Sequence, residues 1–383
     1  MPLSLPTEPD SDAKPVHGFA LLALGFRPFY LLAGLYATLS VPLWAAQYAG
    51  WIPGADPLWH AHEMLFGYAF AVITGFLFTA VRNWTARPTP VGAPLAAIAG
   101  LWVVARLLAL AWPVAAAIGD ALFALTVAWG IGRPILASRN RNWFFIPLVL
   151  GLGAASIGFL AAPGRALAAG LDVVLFVMCV IAGRVVPAFT NNAIPGAGAR
   201  RHRAVEIGAL ASILLLLALD LFDLAVPATY VAIAAAALHA FRLLLWAPAK
   251  TRGRPILWIL HLSYAWIAVH LLLRGLAGFG VISAVLATHA LTIGAIGGLT
   301  IGMMTRTARG HTARPLAIGA AELSAYLLVQ GAATVRVLLP IVMPAAYTAS
   351  IVLSAVLWGL AFAVFCVTYY PILSRPRLDG QPG

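Results

Sequence analysis

The chain has 383 residues, of which 62% are hydrophobic and 9% charged, with a formal charge of +12 and a mean hydropathy of +0.94. Soluble domains carry about 25% charged residues, and a chain with so few polar side chains cannot cover a water-facing surface. Soluble enzymes, disordered chains and nucleic-acid binders are excluded, which leaves a lipid bilayer as the solvent; there a span needs ~20 mostly apolar residues.

Residues 1–18 are polar and Pro-rich and read as a disordered cytoplasmic tail. A single transmembrane domain is expected over residues 19–373, with a second short cytoplasmic tail over 374–383. Apolar runs between charges, Gly and Pro predict twelve helices, at about 28–49, 58–81, 93–112, 114–132, 142–162, 166–189, 204–222, 226–246, 255–274, 279–304, 315–335 and 346–370. The second opens on Asp56 as N-cap and Pro57 at the first helical position. Cys179 and Cys366 both lie in apolar runs, so no disulfide framework is expected.

The connections alternate in charge. Even-numbered loops carry Arg82 and Arg87, Arg133 to Arg141, Arg200 to Arg203, Lys250 to Arg254, and Arg306 to Arg314. With the tails and helix ends, 20 of the 24 basic residues fall on one side; only Arg106, Arg165, Arg274 and Arg336 lie toward the other. The positive-inside rule puts the basic side, and both termini, in the cytoplasm. The charge is therefore a topology anchor rather than a nucleic-acid footprint.

Helix openings recur: Arg27-Pro28, Arg141-Asn142 and Arg254-Pro255 stand 114 and then 113 residues apart. This suggests three four-helix repeats, over about 19–137, 138–250 and 251–373. Chance similarity of short helix ends is the alternative.

Ionisable groups inside a bilayer are costly and mark function, and six of the nine histidines fall within predicted spans. At ~1.5 Å rise per residue, His60, His62, Glu63, His270 and His289 lie toward the outer side, with Arg106, Arg274 and Asp172 at comparable depth. His239 and His261 fall nearer the cytoplasm on adjacent antiparallel helices. His60 and His62 are two residues apart, about 200° around a helix, so they serve different roles or the first turn is distorted. Neutral imidazole suits haem iron, copper and zinc; the alternative is helix–helix hydrogen bonding. The candidate axial ligands of a haem are His60, His62, His270 and His289, with Arg106 and Arg274 as propionate partners. His239 and His261 are candidates for a second metal or a structural contact. Glu63, Asp172 and Glu322, the last expected deep in helix 11, could form a proton or polar network. A covalently attached haem is not expected, because no CxxCH motif occurs.

Several segments resemble the NnrS family: Gly25-Phe26-Arg27-Pro28-Phe29, Trp59-His60-Ala61-His62-Glu63-Met64-Leu65-Phe66-Gly67, Asn83-Trp84-Thr85, Gly183 through Asn192, and His289 through His311. The likeness spans nearly the whole chain. It implies a twelve-helix bacterial inner-membrane protein containing haem b and copper, associated with denitrification and protection from nitric oxide. A looser analogy is with the catalytic subunits of haem–copper oxidases and nitric oxide reductases, which carry haem-ligating histidines on helices 2 and 10 of twelve. The histidines of their copper site, on helices 6 and 7, have no counterpart here. The leading expectation is a haem and copper protein that binds, converts or passes electrons to nitric oxide, with the electron donor unidentified. The alternative is a twelve-helix transporter of a metal or small ligand with histidines along its path.

Overall fold

The computed structural model describes residues 18–54 and 56–381, so nearly all of the expected N-terminal tail lies outside the described residues. The described residues form twelve helices and no strand: α1 (Phe26–Tyr48), α2 (Pro57–Thr85), α3 (Gly92–Leu108), α4 (Pro113–Ala137), α5 (Phe145–Phe159), α6 (Pro163–Ala193), α7 (Arg203–Leu221), α8 (Ala225–Leu245), α9 (Pro255–Gly278), α10 (Ala284–His311), α11 (Ala320–Val342) and α12 (Tyr347–Ser374). Ten are long and apolar enough to cross a membrane; α3 and α5 are shorter, at 17 and 15 residues. The opening of α5 is displaced to Phe145 because the Asn140 side chain accepts the Asn142 amide at 3.0 Å in an Asx turn.

Antiparallel neighbours joined by short loops pack in sequence order, and α12 returns to pack on α1 as well as α11. The closure is pinned by Arg27, fully buried, which donates to the carbonyls of Leu373 and Arg375 at 2.8 and 2.7 Å. α2 and α6 are the most buried spans, followed by α9 and α10. The outer faces stay apolar, with Leu39, Val104, Trp129, Phe241 and Val367 exposed. Such a surface suits lipid and not water. The bundle thus has an arginine-rich end, carrying the even-numbered loops, and a histidine end opposite.

Two boundaries differ from expectation with consequences. α11 begins at Ala320, so Glu322 is not deep in the span but in its first turn, where its side chain reaches back to accept the Gly319 amide at 2.9 Å. Ser374 closes α12, and the residues after it are held: Arg377 and the Leu378 amide donate to the carbonyls of His311 and Thr312, at 3.1 and 3.2 Å.

α2 and α10 share a device. Each starts with a six-residue α-helical turn capped by a side chain, Asp56 accepting from Leu58 and Ser283 from Val285. Each then runs into a π-helical stretch, Glu63–Ala69 in α2 and Ala290–Gly297 in α10. His62 and His289 are the last residues before the two stretches, at an offset of 227 residues. A π-turn inserts an extra residue into the i→i−4 ladder and is frequent at functional sites.

Candidate functional site

The histidine end divides the candidate residues into three groups. The first lines a cavity of ≈ 860 Å³ between α1, α2, α6, α10, α11 and α12. His60, His289 and Arg336 supply its chemistry; Trp44, Tyr68 and Trp358 supply aromatic wall. The His60 ring stacks on Trp44, centroids 4.2 Å apart and planes 17° from parallel. Trp44 is itself fixed by its indole N–H on the Asp56 carbonyl at 3.1 Å. The buried His60 Nδ1 has no hydrogen-bond partner. His289 Nδ1–H donates to the Val285 carbonyl at 2.7 Å, which sets the tautomer and leaves Nε2 with its lone pair free. Arg336, 3% exposed, donates to the Tyr347 hydroxyl at 3.1 Å, while its other terminal nitrogen is buried and unpartnered. Unpaired buried polar atoms are costly, and here α2 and α11 each bring one to residues that line the same cavity.

The second group is an ionic network that consumes its members. His62 Nδ1 bonds Glu63 at 2.8 Å, and Nε2 bonds the Ser156 hydroxyl at 3.1 Å with Asp120 at 3.5 Å. Arg106 donates to both Glu63 oxygens at 2.8 Å and pairs with Asp120. Tyr36 donates to Glu63, and Ser156 to Asp120 at 3.0 Å. These side chains come from α1, α2, α3, α4 and α5, so the network clamps one side of the bundle. Gly67 allows it: a Cβ there would meet the Arg106 side chain at 3.0 Å. The third group repeats the theme. Arg274 bridges Asp172 at 3.0 Å and Asp220 at 2.5 Å, tying α9 to α6 and α7. Both arginines considered for propionates are therefore engaged by carboxylates, and among the described residues Arg336 is the cation that lines the His60 cavity.

His270 stands apart. Its Nδ1–H donates to the Ala287 carbonyl at 2.8 Å, and Nε2 is buried without a partner. Toward the arginine-rich end, His239 and His261 are saturated. His239 Nε2–H donates to the Ala209 carbonyl at 3.1 Å and Nδ1 meets the Tyr264 hydroxyl at 2.8 Å. That hydroxyl also accepts from Arg242, which forks onto Glu206 at 3.0 and 2.6 Å. His261 bonds the Leu257 carbonyl at 3.1 Å, with Thr190 and the Trp246 carbonyl each at 3.3 Å. The two imidazoles share no partner. Glu322 pairs with Arg309 and accepts from Tyr369 at 3.2 Å. Among the described residues, no three or more His, Cys, Asp or Glu side chains gather to hold a bare metal ion.

A family model described as NnrS protein matches residues 20–377. The chain belongs to the NnrS family. No curated protein matches it. The segments that carry the NnrS likeness sit where the geometry is most constrained. The Trp59–Gly67 block supplies His60 to the cavity and His62 and Glu63 to the ionic network. In the Gly183–Asn192 block, a Cβ on Gly183 would stand 1.9 Å from Arg242. Sequence reasoning missed Arg336 and the two π-stretches. Arg336 was visible as one of four bases on the sparse side of the chain.

Proposed function

We propose that this NnrS family member is a bacterial inner-membrane protein of the nitric oxide response that holds haem b in the His60 cavity, with copper as a second metal. The observation that carries the reading is the meeting of His60, His289 and Arg336, each with an unspent nitrogen, on one largely apolar cavity. The donor set suits a haem: the porphyrin fills four coordination positions, so two imidazoles suffice. A bare zinc ion would ask for three or four protein ligands. His60 and His289 would hold the haem; the Arg336 guanidinium would neutralise a propionate in a low-dielectric wall. Trp44 orients the His60 ring, and the Val285 carbonyl orients His289, the partnering usual for metal-bound imidazoles. His270, fixed by the Ala287 carbonyl, is the favoured imidazole for the second metal. Bound haem iron would supply one-electron redox chemistry, and reversible binding of nitric oxide where one of the two imidazoles yields its position. The ionic networks of Arg106 and Arg274 hold the walls in register, and the His239–Tyr264–Arg242 chain and His261 act as helix–helix contacts. The arginine-rich end faces the cytoplasm in this reading.

The test is metal analysis and a reduced-minus-oxidised spectrum of protein purified from haem-replete cells. A b-type difference spectrum is expected. A colourless, metal-free but folded preparation would overturn the proposal.

A further inference from the structure

A second cavity, with ≈ 550 Å³ of empty space, lies next to the first along α2, α6 and α10 and is closed by α1 and α9. The upper cavity is bordered by Leu65 and Tyr68 of α2, Leu171 of α6 and Ile296 of α10. Further along the same helices, the lower one is bordered by Val72, Val177 and Leu299, together with Thr300. A hydrogen-bonded pair joins their walls. The Tyr68 hydroxyl, on the upper wall, meets Thr300 Oγ1, on the lower wall, at 2.6 Å. Thr300 gives its own hydrogen to the Ile296 carbonyl at 2.7 Å, so Tyr68 is the donor and neither hydroxyl is left to solvate a guest. The lower cavity is also lined by Phe76, Ile181 and Met303, which are half-buried and so bring it to the surface of the bundle.

From this adjacency we infer that the two cavities are successive stations of one apolar conduit. It admits a small uncharged ligand of the diatomic-gas class from the bilayer to the His60 and His289 chamber, with the Tyr68–Thr300 pair as its constriction. The destination's chemistry rests on the haem reading; the conduit does not. Lining chemistry selects the ligand. An ion entering a wall without open hydrogen-bonding groups loses its hydration with no return. Apolar cavities of this kind stay dry yet accept xenon or benzene. The bilayer interior already concentrates uncharged gases, so an opening on the lipid face meets its ligand at the higher concentration. The constriction lies on the second half of one π-stretch and just beyond the other. It therefore sits on backbone whose hydrogen bonding is less regular than that of the surrounding α-helix.

Xenon tests the conduit without reference to haem. Crystals of the full chain pressurised with xenon should show a xenon atom in the lower cavity. Val177→Phe, or Leu299→Phe if the first variant fails to fold, should abolish that site and leave the upper cavity open. In haem-loaded protein, carbon monoxide rebinding after photolysis should slow several-fold in the same variant and quicken in Thr300→Val. An empty lower cavity under xenon in a folded protein would overturn the inference, as would an acyl chain occupying it. So would rebinding that Val177→Phe leaves unchanged. A preparation that binds xenon as expected but carries no haem would refute the haem reading and leave the conduit standing.

Discussion

Removing the Arg106 guanidinium is the most direct test of the ionic network on the histidine end. Its side chain is 4% exposed and makes three charge-assisted hydrogen bonds to two carboxylates that are themselves 0% and 1% exposed. Taking one partner out of a buried pair costs about 3–5 kcal/mol, because the other charge stays behind. Glu63 retains His62 and Tyr36, and Asp120 retains Ser156, so Arg106→Met is expected at the lower end, about 3 kcal/mol. Asp120→Asn should rescue part of this loss when combined with Arg106→Met, since the double variant buries one charge fewer. The coupling between the two is expected near ~2 kcal/mol, within the range for residues of one network. Ordinary interhelical hydrogen bonds in membranes average only about 0.6 kcal/mol by the same measurement. The assay is a double-mutant cycle on reversible unfolding in mixed micelles. Additivity within about 0.5 kcal/mol would refute the view that these side chains act as one charge-compensated unit.

Four further outcomes are expected. His60→Ala and His289→Ala should each lose the haem spectrum, whereas His239→Ala should keep it and lower the melting temperature, having lost about two net hydrogen bonds of ~1 kcal/mol each; haem loss in His239→Ala alone would reverse the assignment. Arg336→Met should reduce haem occupancy or shift its reduction potential with little change in melting temperature, and an unaltered titration would remove Arg336 from the site. Gly183→Ala should destabilise by roughly 2 kcal/mol, because its methyl drives the buried Arg242 off the half-buried Glu206; wild-type thermal stability would contradict the packing described. Asp223→Cys and Lys250→Cys should label from opposite faces of the membrane, against no background because Cys179 and Cys366 are buried; labelling of both from one side would overturn the topology.

Much of the fold was legible because the bilayer imposes one pattern. The run predicted at about 28–49 is the helix Phe26–Tyr48, and the other eleven agree as closely in existence and order. Counting residues from the helix openings put His60, His62, Glu63, His270, His289 and Arg106 in one outer cluster; the structure divides it, with His60 and His289 on one cavity, His62, Glu63 and Arg106 in the ionic network, and His270 apart. The i, i+2 geometry separated His60 from His62, and their surroundings differ accordingly. Pairing between helices was not legible. Arg106 and Arg274 each meet a carboxylate, Asp120 and Asp220, on a helix whose rotation the sequence leaves open. Glu322 was misplaced because the loop of residues 312–319 is apolar enough to read as helix, while the cap that starts α11 comes from Glu322 itself.

The two π-stretches have a mechanical consequence. One extra residue in a helix turns everything beyond it by ~100° about the axis. His60 and His289 thus owe their bearing to the insertions, whereas the rest of α2 and α10 keeps the packing face that the bundle requires. Shortening either stretch by one residue would swing the histidine-bearing tip like a key in a lock while the shaft stayed seated. The bearing of the two imidazoles and the membrane architecture meet at a swivel in this chain, and each can be retuned without rebuilding the other.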